Sequence, residues 1–340
     1  FISDPWISRD DDGRDADPTD AGDAVDAEVC GQGSEAKESS WHGSHVSGII
    51  GASTDNGTGM AGVAPDSKIL PVRALGRCGG GGTDILDAMT WAAGGSVKGV
   101  PDNENPARII NMSIGGTGSC PRFFQKTIDA AVARGSIIVA AAGNDDQDVR
   151  NVAPAGCKNV ITVGASTKTG ARSSFSNYGT GVDISAPGGE IDAAENGILS
   201  LADKSTKAPQ DPDYAIMMGT SQATPHVSGT VALMLALNPD LKAEEVVTIL
   251  QNTATPMAEC DRKACGAGIV NAAAAVDNVS GKSPGPSTTA SASPSASDKE
   301  SSSPSASPST SSRRSSSPST SPSTSSRRSS TPSVPPRRFQ

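Results

Sequence analysis

Short apolar runs alternate with longer runs of helical periodicity over the first 280 residues. Strand-like runs occupy residues 69–75, 108–114, 136–142 and 160–165, with weaker ones at 182–184 and 198–201, and helical runs occupy residues 85–93, 123–133, 221–237 and 242–253. The helix that starts at residue 221 ends at Asn238-Pro239, because proline cannot continue it. Strands that alternate with helices predict an α/β fold with a mostly parallel central sheet, covered by helices on both faces.

Two stretches lack this pattern. Residues 1–40 are polar and acidic, and we expect them to form a surface loop. Residues 281–340 are almost entirely Ser, Pro, Thr, Ala and Arg, and they cannot bury enough apolar surface to offset the entropy of ordering. We therefore predict a single domain over residues 1–280, which is long enough for a sizeable core, and a disordered tail over residues 281–340.

Charge divides along the same boundary. The chain has 28 Lys and Arg against 37 Asp and Glu, of which the tail holds eight and two, so the predicted domain holds 20 against 35. An acidic body keeps a secreted protein soluble and argues against nucleic acid as a partner. The arginine pairs of the tail could contact an anionic cell wall, although a solvated low-complexity linker is the simpler interpretation.

The six cysteines form an even set without the Cys-x-x-Cys spacing of a metal site. We expect three disulfides and hence an oxidising compartment outside the cytosol. Fifteen pairings are possible. Cys260 and Cys265 could close a tight loop, and Cys120 with Cys157 would join segments that flank one predicted helix and strand. That choice would leave Cys30 with Cys78.

Hydropathy and the start of the chain bear on the location of the protein. No apolar run is long enough to span a bilayer. Phe1 is not preceded by a starting Met or followed by a signal sequence, so we expect the chain to begin inside a longer precursor. Together with the expected disulfides, we predict a secreted, extracellular protein that is a monomer.

Two motifs carry the candidate chemistry. One is Gly219-Thr220-Ser221-Gln222-Ala223-Thr224-Pro225-His226, and the other is His42-Gly43-Ser44-His45-Val46-Ser47-Gly48. All three histidines of the chain lie in these motifs. Because a serine hydroxyl is a poor nucleophile at neutral pH, it needs an imidazole to accept its proton as it attacks a carbonyl. The pair of motifs predicts hydrolysis of a peptide bond by a serine nucleophile.

The two motifs, their order and the extent of the predicted domain resemble the subtilisin-like serine endopeptidases, the subtilases of peptidase family S8. The segments Arg77-Cys78-Gly79-Gly80 and Cys265-Gly266-Ala267-Gly268 resemble, more closely, the disulfide-bearing extracellular proteases of bacteria. The resemblance implies that Ser221 is the nucleophile and His42 the general base, with an acyl-enzyme on Ser221. His45 and His226 are then structural, and no cofactor is needed for catalysis.

The resemblance also assigns residues around the nucleophile. Asn144, at the end of an apolar strand, would donate to the developing oxyanion together with the backbone N–H of Ser221. Ser113, Gly115 and Gly116 resemble the edge that binds an extended polypeptide substrate, with residues 79–82 as the facing edge. Gly143 and the region of Pro154 and Ala155 would line the specificity pocket, where small residues suggest a roomy slot.

The third member of the triad departs from the family pattern. In the family an aspartate follows an apolar strand in an Asp-x-Gly turn upstream of the histidine. Asp11-Asp12-Gly13 fits that turn, but residues 3–9 before it do not form a buried strand. We expect that the aspartate precedes Phe1 and is missing from this sequence, so that the chain as written is impaired.

The acidic loop is a candidate calcium site. Asp10, Asp12, Asp15 and Asp17 offer hard oxygen ligands at alternating spacing, but without the pattern of an EF-hand. A structural calcium ion, frequent in the resembled family, is weighed against a solvated acidic loop. Zinc on His42 and His45 is disfavoured, because no third ligand histidine exists.

Two other functions were weighed against a secreted endopeptidase. One is a non-catalytic protein, a truncated fragment or pseudoprotease that lacks the aspartate and only binds peptides. The other is an α/β-hydrolase esterase, which needs Gly-x-Ser-x-Gly and a histidine after the serine. Ala223 replaces the second glycine and His42 precedes Ser221, so the sequence argues against the esterase.

Overall fold

The computed structural model describes residues 1–257 and 260–281, without the side chains of residues 262 and 263. The predicted tail from residue 282 onward lies outside the described residues. The helices are α1 (Pro5–Ser8), α2 (His42–Gly51), α3 (Gly82–Ala92), α4 (Arg122–Ala133), α5 (Thr220–Leu237), α6 (Ala243–Thr253), α7 (Arg262–Cys265) and α8 (Ala272–Val279). The strands are β1 (Ile109–Met112), β2 (Gly116–Thr117), β3 (Ile137–Ala141), β4 (Val152–Ala153), β5 (Ile161–Ser166), β6 (Ile184–Pro187), β7 (Ile198–Asp203) and β8 (Pro212–Met217).

A parallel sheet with strand order β1-β3-β5-β6 forms the centre of the domain. Ile110 of β1 lies opposite Ile138 of β3, and Val163 of β5 lies opposite Ile184 of β6. All five residues of β3 and all six of β5 are buried, as expected for strands with helices on both sides.

Successive side chains of β3 enter two different cores. Ile137 and Val139 pack with buried residues of α5, α6 and α8, whereas Ile138 and Ala140 pack with buried residues of α3 and α4. This alternation follows from the two-residue period of a strand. The prediction of a mostly parallel sheet covered on both faces is therefore confirmed.

The predicted strand at residues 69–75 is wrong. The segment forms no strand, and Ile69 and Leu70 expose 40% and 37% of their surface. An apolar run becomes a strand only where a neighbouring strand can pair with its backbone, and among the described residues β1 pairs with β3 alone. The Arg73 carbonyl instead accepts a hydrogen bond from the ammonium of Phe1 at 2.8 Å.

The acidic loop at residues 1–40 contains one element that the sequence did not predict. Asp4 caps the one-turn helix α1 by accepting a hydrogen bond from Trp6 N, and Pro5 suits its first position. Ile2 and Ser8 are buried, so this end of the loop packs against the domain.

Two antiparallel sheets of two strands each lie beside the central sheet, and the second of them is the β7–β8 hairpin. Strand β2 pairs with β4, which places Thr117 opposite Val152, and β7 pairs with β8, which places Leu199 opposite Ile216. The disulfides are Cys30–Cys78, Cys120–Cys157 and Cys260–Cys265. Cys120–Cys157 joins the segments that follow β2 and β4, so it links the ends of these two paired strands covalently. No described helix is both long enough and apolar enough to cross a bilayer.

Candidate active site

Ser221 lies in the first turn of α5, which begins at Thr220. Pro225 has no N–H, so the carbonyl of Ser221 loses its helical partner four residues on. Ser113, just after β1, supplies the replacement: its Oγ donates to Ser221 O at 2.7 Å. In return, Ser221 Oγ donates to Ser113 O at 3.2 Å. Because Pro225 leaves this carbonyl free, Ser113 at the end of β1 can bond to α5 at Ser221, the candidate nucleophile.

His42 is the first residue of α2, a helix that packs against α5. Burial lowers the pKa of His42 below its ordinary value of 6.5, and the neighbouring His45 lowers it further, while the charge of Asp23 opposes both. A lowered pKa keeps the imidazole neutral at neutral pH, as a general base requires. Among the described residues, the His42 ring makes no direct hydrogen bond with Ser221. The structure therefore brings His42 and Ser221 to the N-terminal ends of two packed helices.

Asn144, two residues beyond Ala142, is exposed, and its amide orientation is set by the residue before the nucleophile. Thr220 donates to Asn144 Oδ1 through its backbone N–H at 2.8 Å and through Oγ1 at 3.0 Å. Because Oδ1 accepts both bonds, Asn144 Nδ2 remains available as a donor. Thr220 Oγ1 also accepts from Gly143 N at 3.0 Å. Thr220 is thus a further residue of the candidate site, and its signal in the sequence is its place beside Ser221.

Two of the candidate substrate residues, Gly115 and Gly143, both pack against the side chain of Val152. A Cβ built on Gly115 would lie 3.2 Å from Cγ1 of Val152, and one built on Gly143 would lie 3.5 Å from Cγ2 of the same residue. Gly143 has φ +102°, and a Cβ there would also lie 2.3 Å from Nδ2 of Asn177, so only glycine fits. Val152 is 3% exposed. It therefore packs behind both glycines, and the roomy specificity slot stays a prediction.

The remaining substrate residues flank this slot. Gly116 opens β2 and pairs with Ala153 of β4. Residues 79–82 lead into α3, and Gly81 caps that helix.

The described residues supply no carboxylate that is hydrogen-bonded to His42. Asp11 lies exposed in the acidic loop with φ +68°. Asp23 is the acid whose charge acts on His42, but its two oxygens accept hydrogen bonds from Ser40 N and Oγ at 2.7 and 2.9 Å. The third member of a triad thus stays a prediction.

Three of the four acidic residues predicted as metal ligands come together. Oxygens of Asp10, Asp12 and Asp15 lie within 4.8 Å of one another, whereas Asp17 does not join this group and accepts from Thr19 N at 2.9 Å. A hydrogen bond with Asp15 raises the pKa of Asp12, because two carboxylates crowded together resist ionising both. Such crowding fits a site where a divalent cation would replace the shared proton.

The other two histidines serve the framework. His226 Nδ1 lies 2.8 Å from Gln222 O in its own helix. His45 Nε2 lies 3.1 Å from Ile198 O and 3.2 Å from Ala215 O, so it is not directed at a metal shared with His42.

Comparison with known proteins identifies the family of the chain. The subtilase family of peptidase S8 matches residues 3–301. The chain belongs to the subtilase family. An extracellular protease of Xanthomonas campestris pv. campestris is 50% identical to this subtilase over 81% of the chain and 47% of its own length. An extracellular basic protease of Dichelobacter nodosus is 45% identical over 83% of the chain and 47% of its own length.

A solved structure extends the comparison to the fold. A protease from Pseudoalteromonas arctica superposes on this subtilase with a TM-score of 0.79 and 45% identity, covering 82% of each chain. The subtilase-like α/β fold predicted from the motifs is thereby confirmed. The chain spans about half the length of the curated relatives it matches.

Proposed function

We propose that this subtilase is a secreted serine endopeptidase that cleaves polypeptides through an acyl-enzyme on Ser221. The observation that carries the proposal is the position of Thr220. It holds the Oδ1 of Asn144 and directly precedes Ser221, so a preorganised donor and a nucleophile share one helix start. Donors fixed before the reaction stabilise a developing oxyanion without reorganisation.

The residues divide the reaction in the following way. Ser221 Oγ attacks the scissile carbonyl while the neutral His42 accepts its proton and later passes it to the leaving amine. Asn144 Nδ2 and the backbone N–H of Ser221 stabilise the oxyanion, since the first N–H groups of a helix have no partner within it. Ser113, Gly115 and Gly116 bind the extended substrate on one side, and Gly143 binds it on the other.

Fluorophosphonate labelling tests the proposal. We expect the full chain to take up one label, and Ser221→Ala to take up none. The control Ser44→Ala changes an exposed serine of the other motif and should label like the parent. An unlabelled parent that still binds a peptide along residues 113–116 would favour the alternative, a fragment or pseudoprotease that lacks the triad aspartate.

Secretion follows from the same family and from the disulfides. Its relatives from Xanthomonas and Dichelobacter are named extracellular proteases, and the three disulfides require an oxidising compartment to form. We propose that the enzyme acts outside the cell as a monomer. Sedimentation at two protein concentrations tests the monomer, and a mass that rises with concentration would refute it.

A structural calcium ion is proposed for Asp10, Asp12 and Asp15. Their oxygens meet within 4.8 Å and match the hard ligands that calcium prefers. A calcium ion there would stabilise the acidic loop, and a ligand that binds only the folded state raises the melting temperature. We expect calcium to raise it in the parent and in Asp17→Asn, but not in Asp12→Asn. An equal rise in all three would contradict the site.

The tail is proposed to contact an anionic cell wall through its arginine pairs at 313–314, 327–328 and 337–338. Sedimentation with purified cell walls should retain the full chain and release a version that ends at residue 280. Equal retention of the two would show that the tail is a linker.

A further inference from the structure

The buried side chain of His45 bridges the two halves of the proposed active site. Its ring is fully buried in α2, three residues after His42. Nε2 lies 3.1 Å from the carbonyl of Ile198 in β7 and 3.2 Å from that of Ala215 in β8. Both atoms are acceptors, so Nε2 must carry the ring proton and donate to both strands. Nδ1 is buried and has no hydrogen-bond partner among the described residues.

The helix and the hairpin meet without any intervening layer. Ser200 Oγ of β7 donates to the His45 carbonyl at 2.7 Å. A Cβ built on Gly48, one turn further, would lie 2.4 Å from Ser200 Oγ and 2.8 Å from Cγ of Leu201. Only glycine allows so close an approach, which brings the His45 ring within reach of both strands.

The loop of the hairpin holds the chain on the other side of His42. Trp41 Nε1 donates to Ser205 O at 2.7 Å, and Ser39 N donates to Thr206 O at 2.9 Å. The β7–β8 hairpin is therefore hydrogen-bonded to the chain both just before and just after His42, the proposed base.

The same hairpin leads to the nucleophile. Strand β8 ends at Met217, and α5 begins three residues later with Thr220 and Ser221. At the base of the hairpin, Gln222 Nε2 donates to Met217 Sδ at 3.8 Å. Movement of β8 relative to α2 would consequently change the separation of His42 and Ser221.

We propose that His45 is a positioning residue, whose shared Nε2–H fixes the helix that presents His42 against the strand that leads to Ser221. The inference rests on the proposed function, because it concerns the geometry of that reaction. His45 acts through His42 and Ser221 and does not touch the substrate. The role depends on a donor at the position of Nε2, which separates it from simple filling of the core.

Two substitutions separate the donor from the bulk of the ring. His45→Gln keeps an N–H donor at about the reach of Nε2, whereas His45→Leu keeps apolar volume without a donor. If His45→Leu does not fold, His45→Asn replaces it, because its amide nitrogen reaches only to about the position of Nδ1. Thermal melting of each variant establishes that the folded protein is compared.

Kinetics on peptide substrates give the first readout. A misplacement of about 1 Å between reacting groups costs about 10²-fold in rate. We expect His45→Leu to lower kcat and the rate of Ser221 labelling about 10²-fold with KM unchanged, because residues 113–116 do not belong to the hairpin. Because His45→Gln keeps the donor, its kcat and its rate of Ser221 labelling should stay within about fivefold of the parent values. A folded His45→Leu with the parent kcat, or a Gln variant as slow as the Leu variant, would overturn the proposal.

Nitrogen NMR gives a second readout that needs no activity. The chain has only three histidines, so their ring signals can be assigned by substitution. His45 should show a protonated Nε2 and a bare Nδ1, and the His42 signals should shift in His45→Leu but not in His45→Gln. A proton on Nδ1, or unmoved His42 signals in His45→Leu, would refute the inference. If these signals behave as expected but Ser221 takes no label, the proposed function fails, and what stands is only the structural link from His45 to the His42 ring.

Discussion

We predict that Val152, which packs against both Gly115 and Gly143, sets the size of the substrate side chain that the proposed slot accepts. Its two γ-carbons lie against Gly115 and Gly143, so Val152→Ala removes both and lengthens the slot by about two carbons. Each buried methylene contributes about 0.8 kcal/mol, so a substrate with leucine at the scissile carbonyl gains about 1.6 kcal/mol relative to one with alanine. At 1.36 kcal/mol per tenfold change in rate, this equals a rise of about 15-fold in the leucine-to-alanine ratio of kcat/KM.

The assay compares kcat/KM for peptide anilides that differ only in the residue at the scissile carbonyl. Val149→Ala is the matched control, since Val149 belongs to the same buried cluster but contacts Gly181 instead of the two slot glycines. We expect the parent and Val149→Ala to prefer alanine, and Val152→Ala alone to shift toward leucine. An equal shift in both variants would show that loosening of the cluster, and not the floor of the slot, controls the preference.

Three further outcomes follow from single side chains. Asn144→Ala should raise the free-energy barrier to labelling of Ser221 by about 3 kcal/mol, a magnitude measured on a subtilisin. An unchanged labelling rate would show that Asn144 does not belong to the oxyanion site. Burial raises the pKa of Asp183 from 3.8 to about 6, so its contribution to stability is complete below pH 4 and is lost as the pH rises through 6. Asp183→Asn should therefore raise the free energy of unfolding above pH 6, by on the order of 1–3 kcal/mol, and leave it unchanged at pH 4. Denaturant titrations at the two pH values test this, and an equal effect of the substitution at both would refute it. Gln222→Met places a thioether beside the nucleophile, so peroxide should abolish labelling of that variant faster than of the parent, and equal rates of loss would contradict the expectation.

The periodicity of the sequence was sufficient for the parallel sheet and its helices, because β3 and β5 are buried along their whole length and helices such as α4 bury one face. It was not sufficient for residues 69–75, where strand formation depends on a partner that the local sequence does not specify. The short strands β2 and β4 were also missed, since two residues carry no detectable period.

The candidate site divides in the same way. Ser221, His42 and Asn144 could be proposed from motifs, since the chemistry demands those residue types. Thr220 and Val152 could not, because their importance arises from contacts with residues far away in the chain. The contact at Pro225 could be predicted in part. A proline in a helix predicts a carbonyl without its helical partner, but only the fold shows that Ser113 donates to that carbonyl.

If the proposed peptidase activity holds, the Cys120–Cys157 bridge changes the effect of self-digestion on the protein. A peptidase at high concentration meets copies of itself, and exposed loops are the usual sites of nicking. The bridge spans 37 positions that include α4, β3 and β4. One cut inside that span leaves both pieces tethered by sulfur, with Val152 still held opposite Thr117. A nicked molecule would thus migrate as one band until a reductant is added, and it would keep its substrate preference in the meantime.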